Sequence, residues 1–499
     1  MACRILLWIY RWKNPRCNGK LPPGSMGLPV IGESFQFFAP YTTSDVSPFI
    51  KTRMERYGSL FRTSLVGRKI VVSTDPDVNR FIFQQEGKLV QSWYMDSFDD
   101  IVGKENVLTS HGFLHKYLRN LVLNLFGSET LKEKHVSELD ELTIKHLQLW
   151  STKPSVELKQ AISDMIYDFT VRKLFGCNES RSAEKLRGCY SAFIEGLISF
   201  PLNIPGTAYR QCLQGHDKAM KVVKNMLQDR RRRASPKKQD RDFLDTIVEE
   251  MSKPGSILSE QTALDLLFAL PFAAFESASS AVVLALKYLQ SNPLALAELT
   301  QEHETSSSER ETKGSSITWK EYKSMTFTHM ARKYRPGDLQ ESGYTIPAGW
   351  IILACTPAVH LNSTKYEDPL TFNPWRWKGQ ELNAGSKFFM GFGSGMRLCA
   401  GAEFVKLQIA ILLHHLVTKY RWTVMKDGKA VRQPGLRFPE GFYVQISNKN
   451  SYEVAAELFN GGAEWNTTKA RQSSSCCEIG IVSGDEPHQA PAERSPVIG

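Results

Sequence analysis

Cysteine is scarce in this chain, nine residues in 499, and what there is shows no C-x-x-C spacing. The positions are Cys3, Cys17, Cys177, Cys189, Cys212, Cys355, Cys399, Cys476 and Cys477. That distribution excludes a disulfide framework and a zinc site, and it suits a reducing compartment. Long apolar runs are missing from the start of the chain. RILLWIY, Arg4 to Tyr10, falls far short of the roughly 20 residues needed to cross a bilayer and lacks a small-residue cleavage site. The basic, proline-rich stretch that follows is of the kind found between a membrane helix and a cytosolic domain. Residues 1–19 therefore read as a shortened membrane anchor and basic linker, with a free, fraying terminus as the alternative. No internal repeat is present, and no nucleic-acid module accompanies the net charge of +10. Part of that charge is local, at Arg230 to Arg233 with Lys237 and Lys238, and reads as a solvated loop between helices. Nucleic acid is thus excluded as a partner.

What is present is an ordinary globular composition, 42% hydrophobic and 23% charged, with ample material for a large core. The length would hold about three average domains or one large enzyme. Residues 47–58 carry a helical pattern closed by Gly58, and 59–75 alternate around Gly67 as a hairpin. From 76 to 303 the period is helical, with loops at 203–207 and 252–256. Strand character returns at 343–357, and 435–446 reads as a final hairpin. Beyond 446 there is little to bury, so 447–499 is expected to be a disordered tail. The fold class is mainly α with small β-sheets at one side.

One cysteine stands in a distinctive setting. FGSGMRLCAG, residues 392–401, matches F-x-x-G-x-R-x-C-x-G at Phe392, Gly395, Arg397, Cys399 and Gly401. With residue frequencies of a few per cent each, a chance match somewhere in this chain has odds of roughly one in ten thousand. The bland alternative, a small buried hydrophobe, does not explain the pattern. A helix follows at 403–420, and its positive N-terminus just after Cys399 favours a thiolate.

This segment resembles the haem-ligand loop of the cytochrome P450 monooxygenases, and the resemblance covers about residues 20–446. It implies that Cys399 is the thiolate ligand of haem iron, pushing electron density toward bound oxygen. Glycines at 393, 395 and 401 would let the backbone pass close to a flat macrocycle, Arg397 would meet a haem propionate, and Phe392 would shield the sulfur. His115 and Arg119, four apart on one helix face, correspond to the family's second propionate-binding pair, with His for the commoner Trp. Residues 263–290 match the long helix over the haem. In AAFESAS, Ala273 and Ala274 would leave room for dioxygen, while Glu276 and Ser277 would pass protons to it. A buried Glu needs a task or a partner. Ser277 replaces the usual threonine, and Pro271 one turn upstream predicts a kink.

One family motif is missing. No E-x-x-R stands between the long helix and residue 345, which is what a lost coding segment would leave; the P450 fold is expected to be incomplete around 329–342. Arg376, the usual partner of that motif, is expected to be left unpaired. The stretches LPPGSMGLPVIGES, FPLNIPGTAYRQCL and YTIPAGW are similar to plant enzymes that oxidise sterols, brassinosteroids and triterpenoids. They imply a lipophilic polycyclic substrate and electrons from NADPH through NADPH–cytochrome P450 reductase, docking near Arg397 and Lys406. The same likeness implies the endoplasmic reticulum membrane surface, on its cytosolic face. Two alternatives stay open: a haem-binding but inactive relative, and a non-functional splice or gene-model variant.

Overall fold

Apolar residues on nearly every face of Glu260–Gln290 leave that 31-residue helix nowhere to lie except inside the protein. Ser259 starts it by accepting a hydrogen bond from the Thr262 amide. Leu264, Leu267, Phe268, Val283 and Leu286 are buried along its length. It is the one helix among the described residues long and apolar enough to cross a membrane, and its burial makes it a core helix.

The computed structural model describes residues 2–15, 17–42, 45–176, 181–197, 199, 201–233, 241–310, 315–330, 344–378, 389–433 and 435–449. Nearly all of the segment expected to be incomplete, around 329–342, and the tail past 449 lie outside them. The principal helices are α1 (Ala2–Lys13), α2 (Pro76–Gln84), α3 (Gly112–Phe126), α4 (Val136–Ser151), α5 (Leu158–Phe175), α6 (Arg181–Leu197), α7 (Ala208–Arg232), α8 (Glu260–Gln290), α9 (Pro293–Ser308) and α10 (Ala402–Lys419). Helix α8 packs against α5 and α7, α6 pairs with α7, and α10 lies against α4 and α9.

The strands are short. β1 (Leu60–Leu65) and β2 (Arg68–Ser73) form the expected hairpin, turning through Val66 and Gly67 at positive φ. β4 (Ile351–Ala354) adds to β2 in parallel, Ile70 facing Ile351. β3 (Val156–Glu157) and β5 (Tyr420–Asp427) flank β8 (Phe442–Asn448). Residues 435–446 do not close on themselves as a hairpin: β7 (Gly435–Arg437) pairs with β6 (Val431–Gln433), whereas β8 joins β3 and β5. Pro439 and Gly441 between the two strands suit a tight turn, but long-range pairing decides where each strand goes.

Two contacts fasten α10, one at each end. Phe404, in its first turn, packs its ring between Phe126 of α3 and Phe169 of α5, at centroid distances of 4.7 and 5.5 Å. Burying a phenylalanine this way contributes about 1.5–3 kcal/mol. Farther along, His415 and Asp140 of α4 share a 2.6 Å contact with both side chains only 2% exposed. Removing one partner of a buried polar pair strands the other. Asp140→Ala is therefore expected to lower unfolding stability by about 3 kcal/mol, read from the urea midpoint at unchanged slope; a shift within a few tenths of a kcal/mol would show that this pair does not fasten α10.

Candidate active site

A cavity of about 1070 Å³ opens between α3, α8 and the loop leading into α10. From α8 it takes Leu270, Ala273, Ala274, Ser277, Ala281, Leu284 and Tyr288. Their spacing of three and four places them on one helical face. Facing them across the cavity wall are Phe392, Arg397, Leu398, Cys399 and Gly401. Of the residues predicted from the sequence, the cavity thus gathers Cys399, Phe392, Arg397, Gly401, His115, Arg119 and Ser277.

The loop holds its shape through its own backbone. The Cys399 amide donates to the Phe392 carbonyl at 2.8 Å, and the Gly393 amide to the Met390 carbonyl at 3.0 Å. Gly395 adopts φ +60°, and a Cβ there would lie 2.2 Å from the Phe83 carbonyl of α2. The missing side chain there admits the end of α2. Gly401 is unstrained, and a Cβ there would sit 4.0 Å from the Cys399 sulfur. Desolvation pushes the Cys399 thiol up, against the Gly401 amide, Arg119 and Lys406, which favour the thiolate. The residue is nonetheless exposed on the cavity wall, where a bound cation would ionise it.

Arg397 is engaged in a way the motif did not reveal. It donates to Glu86 at 2.8 Å, to the Leu108 and Ser110 carbonyls at 3.0 and 2.9 Å, and to His111 and His115 at 3.1 Å each. Nδ1 of His115 lies 3.0 Å from the Val107 carbonyl and 3.1 Å from Arg397, and its Nε2 lies 3.2 Å from the Met396 carbonyl, so the ring ties α3 to the cysteine loop. Burial, and then the Arg397 charge, hold the His115 imidazole below its usual range and neutral. Arg119, one helical turn on, donates to the Leu398 carbonyl beside the cysteine.

The expected acid and hydroxyl part company. Ser277 faces the cavity, with a weak 3.5 Å bond to the Ala273 carbonyl. Glu276 is not among the lining residues. It pairs with Lys159 of α5 at 2.7 Å. Consecutive helical residues point about 100° apart, and here that step carries Glu276 off the cavity face to Lys159. The partner that a half-buried glutamate requires is this lysine. Pro271 lies within α8, which runs on through it.

Arg376 is not left unpaired. It donates to the carbonyls of Asn373, Glu367, Asp368 and Thr371 at 2.9 to 3.2 Å, so the loop around it supplies its own acceptors. Glu86, Lys159 and Glu403 are the functional neighbours that sequence reasoning missed. Only Glu403 carries a local signal, an acid in the first turn of α10. Burial pushes its carboxyl up, but the Lys406 hydrogen bond and the charges of Lys406 and Lys323 outweigh that and hold it at about 2.

The donor set fits haem. Among the described residues, one thiol stands on one wall, small residues stand on the other, and four cationic side chains (Arg119, Lys323, Arg397 and Lys406) line the cavity with one carboxylate, Glu403. That excess of cations suits a flat ligand bearing two carboxylates.

Comparison with known proteins agrees with this chemistry. The family described as Cytochrome P450 matches residues 22–446. The chain is 50% identical over 461 residues to cytochrome P450 87A3 of Oryza sativa subsp. japonica, covering 89% of each chain. It is 38% identical over 462 residues to the beta-amyrin 16-alpha-hydroxylase CYP87D16 of Maesa lanceolata, covering 89% of this chain and 96% of that one. Among solved structures, retinoic acid-bound cyanobacterial CYP120A1 superposes with a TM-score of 0.73 at 21% identity, covering 87% of this chain and all of that one, which shows the shared fold.

The Glu403 cluster gives a signed pH test. A carboxyl depressed from 4.5 to about 2 on folding adds stability that is fully present above about pH 5 and is lost as pH falls towards 2. Wild type should exceed Glu403→Gln by roughly 1 kcal/mol at pH 7, given partial exposure, and the gap should close between about pH 4.5 and pH 2 in urea titrations. A gap independent of pH would remove the charge from the account.

Proposed function

This chain belongs to the cytochrome P450 family and is a monooxygenase, and from that premise we propose that it hydroxylates a rigid triterpenoid or sterol at an unactivated carbon. The balance is one oxygen atom of O2 into a C–H bond and the other into water, with two electrons from NADPH and two protons. The observation that carries this reading is the cavity with the Cys399 thiol on one wall and the small-residue face of α8 on the other.

Haem, when bound, supplies the oxygen chemistry. The chain's own residues do the rest. Cys399 would hold the iron as thiolate, with the Gly401 amide aimed at its sulfur. Arg119 would meet the haem carboxylates, joined by Arg397 if a carboxylate takes the place of one of its present partners, and His115 fixes the cysteine loop against α3. Ala273 and Ala274 keep the facing wall of the cavity open. The Ser277 hydroxyl holds a proton at that wall, while apolar neighbours such as Val107, Leu108 and Leu270 exclude water. Glu276, tied to Lys159, acts from outside the cavity as the anchor of the same helical turn. A rigid polycycle suits an apolar wall because it loses little freedom on binding. The catalytic domain is assigned to 20–446.

Electrons are assigned to NADPH–cytochrome P450 reductase. Its docking side is placed at the start of α10, where Lys323 and Lys406 stand at the surface with side chains 50% and 30% exposed. Arg397 is turned inward and does not serve it. Helix α1 exposes Ile5, Leu6, Leu7, Trp8 and Tyr10 beside Arg4, Arg11 and Lys13, a composition suited to an anionic membrane surface such as that of the endoplasmic reticulum. The carbonyl cage around Arg376 supports the active reading over a fold weakened by the absent E-x-x-R.

The test uses β-amyrin and cholesterol as substrates with wild type and Ser277→Ala. A substrate-induced shift of the haem spectrum with either is expected; its absence with both would contradict the substrate class. Product per NADPH should fall about tenfold or more in Ser277→Ala, hydrogen peroxide rising in compensation. An unchanged ratio would remove Ser277 from proton handling.

A further inference from the structure

Behind the cavity face of α8 lies a second device that the reaction as described above does not use. Pro271 has no N–H, so the carbonyl of Leu267, one turn earlier, lacks its helical donor. This break is in the hydrogen-bond ladder of a helix that itself runs on, and it ends at Pro271, between the cavity-lining Leu270 and Ala273. On the opposite side of the same turn, Tyr190 of α6 reaches across and donates its hydroxyl to the carbonyl of Phe268 at 2.6 Å. Its ring stacks on Phe268 at 5.3 Å, and Phe193 packs edge-on against Phe268 and Phe272 at 5.1 and 4.9 Å. Tyr190 is 2% exposed, and burial pushes its phenol well above the usual range, so it remains a neutral donor.

A proline turn has one fewer bond to hold its pitch, so what else grips that turn sets the direction of the helix beyond it. Here the grip comes from α6: the Tyr190 hydroxyl donates to the Phe268 carbonyl, next along the chain from the orphaned Leu267 carbonyl. The residues carried beyond the break are Ala273, Ala274 and Ser277, the wall that faces Cys399. A displacement of about 1 Å at that wall is enough to change which carbon of a rigid substrate lies nearest the reacting centre.

We propose that Tyr190 is a positioning residue for the oxidation: its hydroxyl clamps the proline-broken turn of α8 and so sets where the Ala273–Ser277 wall stands over Cys399. The proposal rests on the monooxygenase reading for its effect on products, but the clamp itself is independent of turnover. Tyr190 touches neither cavity nor substrate, and it acts through the helix.

The experiment compares wild type, Tyr190→Phe, Pro271→Ala and the double variant, all as full-length haem-loaded protein. Tyr190→Phe keeps the stacked ring and removes only the hydroxyl. Amide hydrogen exchange in peptides spanning Phe268–Ser277 should rise in Tyr190→Phe and return towards wild type in the double variant, because Pro271→Ala restores the missing donor. With β-amyrin or cholesterol, the ratio of hydroxylated positional isomers should change roughly fivefold in Tyr190→Phe, the worth of one net hydrogen bond. The spectral dissociation constant should stay within about twofold, and the isomer ratio should change much less when Pro271→Ala is present. Unchanged exchange in Tyr190→Phe would overturn the clamp. Raised exchange with an unchanged isomer ratio, or an equal change with and without Pro271, would overturn the positioning role. A wild type that turns over neither compound would sink the substrate reading instead, and exchange would still decide the clamp.

Discussion

The guanidinium of Arg397 gathers the end of α2, the segment before α3, α3 itself and the cysteine loop into one point. It is 16% exposed and its partner Glu86 8%, so neither charge has water to fall back on. Two buried charges are tolerated only when each is paired and its remaining hydrogen bonds are satisfied. Here Glu86 neutralises the cation, and two carbonyls and two imidazoles lie within hydrogen-bonding distance of its remaining N–H groups. Cys399, two residues on, inherits its place from this junction on one side and from Phe404 on the other. Shifting the junction would move the sulfur, so the geometry of the thiol is a consequence of a charge that had to be buried somewhere.

The opposite wall obeys a different constraint. Helix α8 is held by burial on nearly all sides, and its cavity face is simply the face where small residues leave space. The roughly 100° step between neighbours then assigns roles. Ser277 looks into the cavity and Glu276 looks at Lys159. Here the acid next to the hydroxyl turns to the flank, and its ion pair ties the same turn to α5. Function at this wall is divided between a residue that faces the chemistry and residues that hold the helix in place.

The architecture was legible where the signal is local. Gly58 closing a helix, the turn at Val66–Gly67, the loops at 203–207 and 252–256 and the apolar helix over 263–290 all follow from period and turn chemistry, and all are present. The cysteine motif was legible because five residues at fixed spacing are improbable by chance. What could not be read were partners far apart in the chain. Glu86 stands 311 residues before Arg397, and Lys159 stands 117 before Glu276. The approach of the Phe83 carbonyl to Gly395 is another contact between residues far apart in the chain. Residues 435–446 looked like a hairpin because a turn is written there, whereas strand partners are chosen by packing. Arg376 looked orphaned because the missing motif is visible in sequence and the carbonyl cage is not.

Everything in the account converges on Cys399 as the haem ligand. The most direct measurement is the carbon-monoxide difference spectrum of the reduced, haem-reconstituted protein, taken for wild type and Cys399→Ala. The account predicts a thiolate-type spectrum for wild type and its loss in Cys399→Ala, with far-ultraviolet circular dichroism unchanged. A thiolate-type spectrum that survives in Cys399→Ala would contradict it.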